Sequence, residues 1–249
     1  MAAKHVKYMA CLFDMDGLLV DSETIYTKTT NLILDRYGKD PLPISVKAQM
    51  MGRPGSAAAK VVIDWSNIPM TPQQFVDEQQ VIRAKFWSSL KPMPGAESLI
   101  NNLSNHGIDI GLATSSNTAN YNMKTAHLKH IFEKFGKNVI TGDNPSIAPG
   151  RGKPFPDIWL KVLNLINESR KQRGLKALTP SQCIAFEDSI PGVKSAKAAG
   201  MHVIWVPDAA IKNLVGDQLN EIVDSQCETL PSLSEFDINK YLNINSKQA

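Results

Sequence analysis

A short, mostly apolar run at Tyr8–Phe13 ends on Asp14 and Asp16, and the next strand-like run does not arrive until Ile108. This gap constrains the fold more than any other feature. Inside it, Ile25–Leu34, Ala57–Trp65 and Phe75–Leu90 carry apolar residues at helical spacing. Ser22 followed by Glu23 reads as one helix start. Thr71-Pro72 reads as another, with proline at the first helical position, where its missing N–H is not needed. After Pro92 the texture changes. Ile108–Ala113, Asn138–Thr141, Cys183–Phe186 and His202–Val206 read as strands, alternating with helical Glu97–Asn105, Thr118–His127, Asp157–Glu168 and Val193–Ala199. Such alternation predicts a parallel sheet with helices on both faces. The expected organisation is a discontinuous α/β core, Rossmann-like, built from residues 1–19 and 91–249. An all-helical unit at 20–90 is inserted after the first strand, with hinges near Leu18–Val20 and Leu90–Pro94.

The chain has 249 residues, 43% of them hydrophobic, which suffices for a sizeable core. Its formal charge of +3 is too small to point to nucleic acid. No stretch approaches the ~20 apolar residues of a membrane helix. Cys11, Cys183 and Cys227 lack metal spacing, so free thiols in a reducing, cytoplasmic compartment are expected. Asn144–Pro156 reads as a loop. Glu168–Pro180, with Arg170, Lys171, Arg173 and Lys176, reads as a solvated helix end and loop, and the last seven residues as a frayed tail.

In open α/β sheets, ligands bind beyond the carboxyl ends of the strands. The first strand ends in Asp14 and Asp16. The second ends in Thr114 and Ser115, the loop after the third carries Lys153, and the fourth ends in Glu187 and Asp188. Four carboxylates on one rim repel one another and call for a hard cation, and oxygen donors point to Mg²⁺. With Lys153 and the hydroxyls of Thr114 and Ser115, such a rim suits a phosphate group. One carboxylate can then act as nucleophile and a second as acid and base. Asp14 and Asp16 are the pair close enough for these roles.

These residues resemble the haloacid dehalogenase-like superfamily of phosphatases with an inserted helical cap. The likeness rests on FDMDGLLVDSE at Phe13–Glu23, LATSS at Leu112–Ser116, GKPFPDI at Gly152–Ile158 and FEDSIPGVKSAKAAGMHV at Phe186–Val203. The resemblance implies Asp14 as nucleophile and Asp16 as general acid/base. It implies Thr114, Ser115 and Lys153 as the phosphate-binding set. Mg²⁺ is implied on Asp14, the main-chain carbonyl of Asp16 and Asp188, with Glu187 nearby. Within the superfamily the likeness runs nearest to pseudouridine 5'-phosphatases, through Met51–Asp64, Met93–Ile100, Met123–Thr125 and Gly200–Asp208. Enzymes acting on glycerol 3-phosphate or 2-deoxyglucose 6-phosphate share most of these segments.

One departure is the cap stretch Gly52-Arg53-Pro54-Gly55, where the pseudouridine enzyme has lysines and no Pro-Gly. Arg53, Glu23 and Tyr26 are the expected cap contacts to substrate. Three rivals remain. β-Phosphoglucomutase-like isomerases share the motifs but carry a cap-start histidine, where Tyr26 stands here. Dehalogenases lack the second aspartate, and a non-catalytic module would not need an intact site. A monomer acting on a small phosphomonoester, without a polymer or membrane partner, is expected.

Overall fold

The computed structural model describes residues 8–242 apart from 51, 52, 54, 210, 211, 213–215 and 217–221. The expected frayed tail, 243–249, lies outside the described residues.

Six parallel strands form one sheet: β1 (Ala10–Phe13), β2 (Asp109–Ala113), β3 (Val139–Ile140), β4 (Cys183–Glu187), β5 (His202–Trp205) and β6 (Cys227–Thr229). Their order is β3-β2-β1-β4-β5-β6, with β1 between β2 and β4. Alternate side chains of a strand face opposite sides. Cys11 and Phe13 pack on one face with Ile110, Leu112, Ile184 and Phe186, under α5 (Ala96–Asn105). Ala10 and Leu12 pack on the other, under α8 (Asp157–Gln172) and α9 (Ile190–Ala198), while α6 (Thr118–Thr125) and the short α7 (Lys129–Phe132) follow β2. A sheet covered on both faces explains why its strands read as continuous apolar runs.

Between β1 and β2 lie α1 (Ser22–Arg36), α2 (Ile44–Met50), α3 (Gly55–Ser66) and α4 (Pro72–Ala84), followed by a 3₁₀ turn at Trp87–Ser89. They enclose a separate core of Ile33, Leu34, Ala59, Val62, Ile68 and Phe75. The two connectors run side by side: Asp21 N–H donates to Lys91 O and Met93 N–H to Leu19 O, both at 2.9 Å. Thr71 caps α4 through a reciprocal pair of bonds with Gln74.

Several local expectations need correction. Asp21, not Ser22, caps α1: its carboxylate accepts from the Thr24 amide at 3.2 Å and the Thr24 hydroxyl at 2.8 Å. The helical run expected at Phe75–Leu90 breaks at Ala84. The helix expected to end at Glu168 continues to Gln172. Arg170 there is buried rather than solvated. It extends the inward stripe of Val162 and Ile166, pairs with Asp109 at 2.5 Å, and donates to Lys176 O at 2.7 Å. Neither α2 nor β6 was expected.

Candidate active site

The register of β1 against its neighbours sets Phe13 opposite both Leu112 and Phe186. The residues that follow each strand therefore meet at one rim. Asp14 is anchored by its amide to Phe186 O at 3.0 Å, and Thr114 by its amide to Ile140 O at 3.0 Å. Lys153 reaches this rim from the loop before α8. Its three hydrogens meet three acceptors: Asp14 Oδ1 and Glu187 Oε1, each at 2.5 Å, and Ala113 O at 3.0 Å. The Trp159 ring lies 4.8 Å from the ammonium, which shields it from water.

Glu187 is fully buried and acts as a bracket. Its second oxygen accepts from the amides of Asp188 and Ser189 and from the Ser189 hydroxyl, all at 3.1 Å. Ser189 is the N-cap of α9, so the carboxylate sits where a helix start favours negative charge. Gly192 makes room for it: a Cβ there would fall 1.9 Å from the Glu187 carboxyl carbon. Asp188 is fixed from behind by the Trp205 indole N–H, which donates to its carbonyl at 2.8 Å. Gly17 turns the chain after β1 with φ +82°, and a Cβ at this position would come within 2.3 Å of Asp188 Oδ2.

Asp14, Glu187 and Asp188 each place an oxygen within 4.8 Å of the others. One ammonium faces three carboxylates. Burial pushes Asp14 up to about 7, and Glu187 and Asp16 add to this against the pull of Lys153. Burial also raises Asp188, with Glu187 and Asp14 adding to it. The donor set is all hard oxygen and carries excess negative charge, which fits a divalent cation.

The Asp16 side chain lies outside this group. It accepts from Lys124 Nζ on Oδ1 at 2.5 Å and from the Ser116 hydroxyl on Oδ2 at 2.7 Å. Lys124 stands on α6 (Thr118–Thr125), is fully buried, and also donates to Ser116 Oγ at 2.9 Å and Tyr26 Oη at 3.1 Å. Burial alone would raise Asp16, but Lys124 and the Ser116 bond outweigh it and hold the carboxyl below its usual range. Burial would lower Lys124, but Asp16 and Tyr26 outweigh it and raise the ammonium.

Thr114 is buried, and its Oγ1 accepts from the Ser116 amide at 3.1 Å, while Ser115 is exposed at the strand end. Tyr26 joins the site through Lys124. Glu23 is raised chiefly by burial and lies 3.7 Å from Lys47. Arg53 is exposed, and among the described residues no hydrogen bond or ion pair of its side chain links it to the rim. Its neighbours Gly52 and Pro54 lie outside the described residues. Asn117 caps α6 by accepting from the Asn120 amide at 2.8 Å, which leaves Ser116 free for Asp16. Lys124 lies in the Met123–Thr125 segment of the family likeness, but no site role is read from it: a lone lysine two turns into a polar helix reads as solvent-facing.

Residues 8–200 match the haloacid dehalogenase-like hydrolase family. The chain belongs to that family. This haloacid dehalogenase-like hydrolase is 43% identical to a probable pseudouridine-5'-phosphatase of Saccharomyces cerevisiae, over 95% of this chain and 98% of that protein. It is 34% identical to a (DL)-glycerol-3-phosphatase of Arabidopsis thaliana, over 90% of this chain and 74% of that one. Its fold superposes on a β-phosphoglucomutase from Clostridium difficile with a TM-score of 0.67 at 19% identity, covering 94% and 97% of the two chains. The family and these relatives make the chain a phosphatase. Among the described residues no helix is long and apolar enough to cross a membrane.

Proposed function

We propose that the chain hydrolyses small phosphomonoesters through an aspartyl-phosphate on Asp14 and depends on Mg²⁺, with pseudouridine 5'-phosphate the leading substrate. The carrying observation is that two aspartates only two residues apart are held by different lysines, Asp14 by Lys153 and Asp16 by Lys124. The two carboxylates are thereby set up for different work. Asp14 Oδ attacks phosphorus as the bond to the leaving oxygen breaks, and Asp16, which must first take up a proton from solvent because Lys124 holds it ionised, gives that proton to the leaving oxygen. Asp16 then takes a proton from water as the water oxygen attacks the phosphorus of the aspartyl-phosphate. Inorganic phosphate leaves and the Asp14 carboxylate is restored. Lys153, with Thr114 and Ser115, steadies the phosphoryl oxygens. Asp14, Asp188 and the main-chain carbonyl of Asp16 would hold Mg²⁺, with Glu187 bracing Lys153 and the α9 start. The metal would neutralise the clustered carboxylates and the phosphoryl oxygens. In this reading the helical unit at 20–90 is a cap that covers the rim and excludes water.

The test is phosphate release from pseudouridine 5'-phosphate, uridine 5'-phosphate, glycerol 3-phosphate, 2-deoxyglucose 6-phosphate and β-glucose 1-phosphate, with and without Mg²⁺. A Mg²⁺-dependent preference for pseudouridine 5'-phosphate is expected. Preference for glycerol 3-phosphate would move the substrate toward the Arabidopsis relative and keep the chemistry. Isomerised sugar phosphate without phosphate release would replace the hydrolase by a mutase.

A further inference from the structure

Among the described residues, Lys124 is the most deeply buried charged group without a role in the proposed chemistry. It has no solvent exposure, and its three hydrogens meet Asp16 Oδ1, Ser116 Oγ and Tyr26 Oη. Ser116 closes a second bond to Asp16 Oδ2. Both oxygens of Asp16 are therefore held by residues that precede or lie on α6. An aspartate on a turn has three staggered χ1 wells, and this pair of bonds selects one of them.

The lysine is tied equally to the helical unit. Tyr26 belongs to α1, and Trp87 lies just before the return connector. Their rings meet edge-on at 5.9 Å between centroids, and the Lys124 ammonium lies 5.2 Å from the first and 5.0 Å from the second. The Arg83 guanidinium of α4 lies 4.6 Å from the Tyr26 ring. One ammonium, carried on a core helix, thus contacts the acid/base, Ser116 just before that helix, and both ends of the inserted unit.

We propose that Lys124 is the positioning residue of Asp16 and that Tyr26 makes that position depend on the seating of the cap. The inference rests on the phosphatase reading above. A merely structural ion pair would fasten α6 to the loop after β1 and affect all substrates alike. A positioning role affects only substrates whose leaving oxygen needs a proton. p-Nitrophenolate leaves without one, whereas an alkoxide does not. The ratio kcat/KM reports the steps up to departure of the leaving group, so it separates this proton transfer from later hydrolysis of the aspartyl-phosphate.

The experiment compares kcat/KM for p-nitrophenyl phosphate and for the best alkyl monoester of the panel in wild type, Asp16→Asn and Lys124→Gln, with folding checked by circular dichroism. General acid catalysis typically supplies about 10²–10⁴-fold. Asp16→Asn should therefore lose about 10³-fold on the alkyl ester and under about tenfold on p-nitrophenyl phosphate. Lys124→Gln should show the same split, about 10²-fold against under about fivefold. Equal losses on both substrates, or no loss on either, overturn the positioning role. If Lys124→Gln does not fold, Ser116→Ala frees Asp16 Oδ2 alone, and an unchanged ratio there overturns it. Tyr26→Phe keeps the ring and removes one acceptor. It should shift the ratio the same way by about threefold, and an unchanged ratio breaks the tie to the cap. A split in Asp16→Asn without one in Lys124→Gln sinks this inference alone. A wild type that hydrolyses neither ester sinks the phosphatase reading with it.

Discussion

Two buried lysines each hold an aspartate of the same short loop, yet they do so from different parts of the molecule. Lys153 is braced by core residues alone: the end of β2, the end of β4 and the Trp159 ring of α8. Lys124 is braced half by the core and half by the inserted helices, through Tyr26 and Trp87. The electrostatics differ as well. Around Lys153 one cation serves three carboxylates, and Asp14 is driven up. Around Lys124 one cation serves one carboxylate, and Asp16 is driven down. The half braced by the core alone gathers excess negative charge, which a cation can neutralise. The half shared with the inserted helices is balanced within itself.

The largest expected effect tests the first half. Asp14→Asn should lower phosphate release by ~10⁴-fold or more, as losing a nucleophile does. The fold should stand, because the change removes one of three crowded carboxylates. Robust activity in this variant, assayed by released phosphate, would end the Asp14 assignment.

The two lysines also mark the limit of the sequence. Lys153 stands in a Gly-Lys-Pro loop at a strand end, where topology sends ligands, so its place was legible. Lys124 stands among polar helix residues, and only the fold shows that Tyr26 and Trp87 close over it. Similar reasons hid parts of the fold. α2 buries Val46 alone, and β6 buries only Cys227 fully, so neither leaves a periodic trace. Arg170 misled because long basic side chains usually lie at the surface, and its partner Asp109 is distant in sequence.

The next effect concerns stability. Lys153→Met strips the only ammonium paired with Asp14 and Glu187 among the described residues. Uncompensated buried charge costs about 3–5 kcal/mol. Denaturant unfolding at pH 8 without divalent cations should show a loss of that order, and added Mg²⁺ should restore part of it. A loss below 1 kcal/mol, read against the ~3–5 kcal/mol expectation, would mean that the pair is not buried in solution.

The pH dependence should separate the halves by sign. The folded pKa of Asp14, about 7, lies above its ordinary 3.8. Its contribution to stability is therefore full below 3.8 and lost as pH rises through about 7. Asp188 is shifted the same way. Asp16 is lowered, so its contribution is full above the ordinary carboxylate value and is lost as pH falls through its folded one. Melting temperatures of the cation-free protein should decline from pH 5 to pH 8, in the pKa window that the Asp14 shift defines. The decline should be shallower in Asp14→Asn and unchanged in Asp16→Asn. Mg²⁺ should stabilise more at the alkaline end, where it no longer competes with protons. An undiminished slope in Asp14→Asn would remove that group as the source.

The smallest effect lies at the outer edge of the Lys124 half. Arg83 is 8% exposed and stacks on Tyr26, yet among the described residues its Nε has no hydrogen-bond partner. Stacking of a partly desolvated guanidinium on a ring is worth about 0.5–2 kcal/mol. Leaving a buried donor unpaired costs about 1–3 kcal/mol. The two nearly cancel, and methionine keeps contact with the ring through a polarizable thioether. Arg83→Met should therefore change unfolding free energy by less than about 1 kcal/mol, by this balance of stacking and desolvation. It should leave the ratio of alkyl to p-nitrophenyl phosphate turnover nearly at the wild-type value, because Tyr26 Oη still receives Lys124. A loss of about 3 kcal/mol or more would exceed what stacking can supply. The guanidinium charge itself would then hold the helical unit against the core, and the Lys124 half would depend on compensated buried charge as strongly as the Lys153 half does.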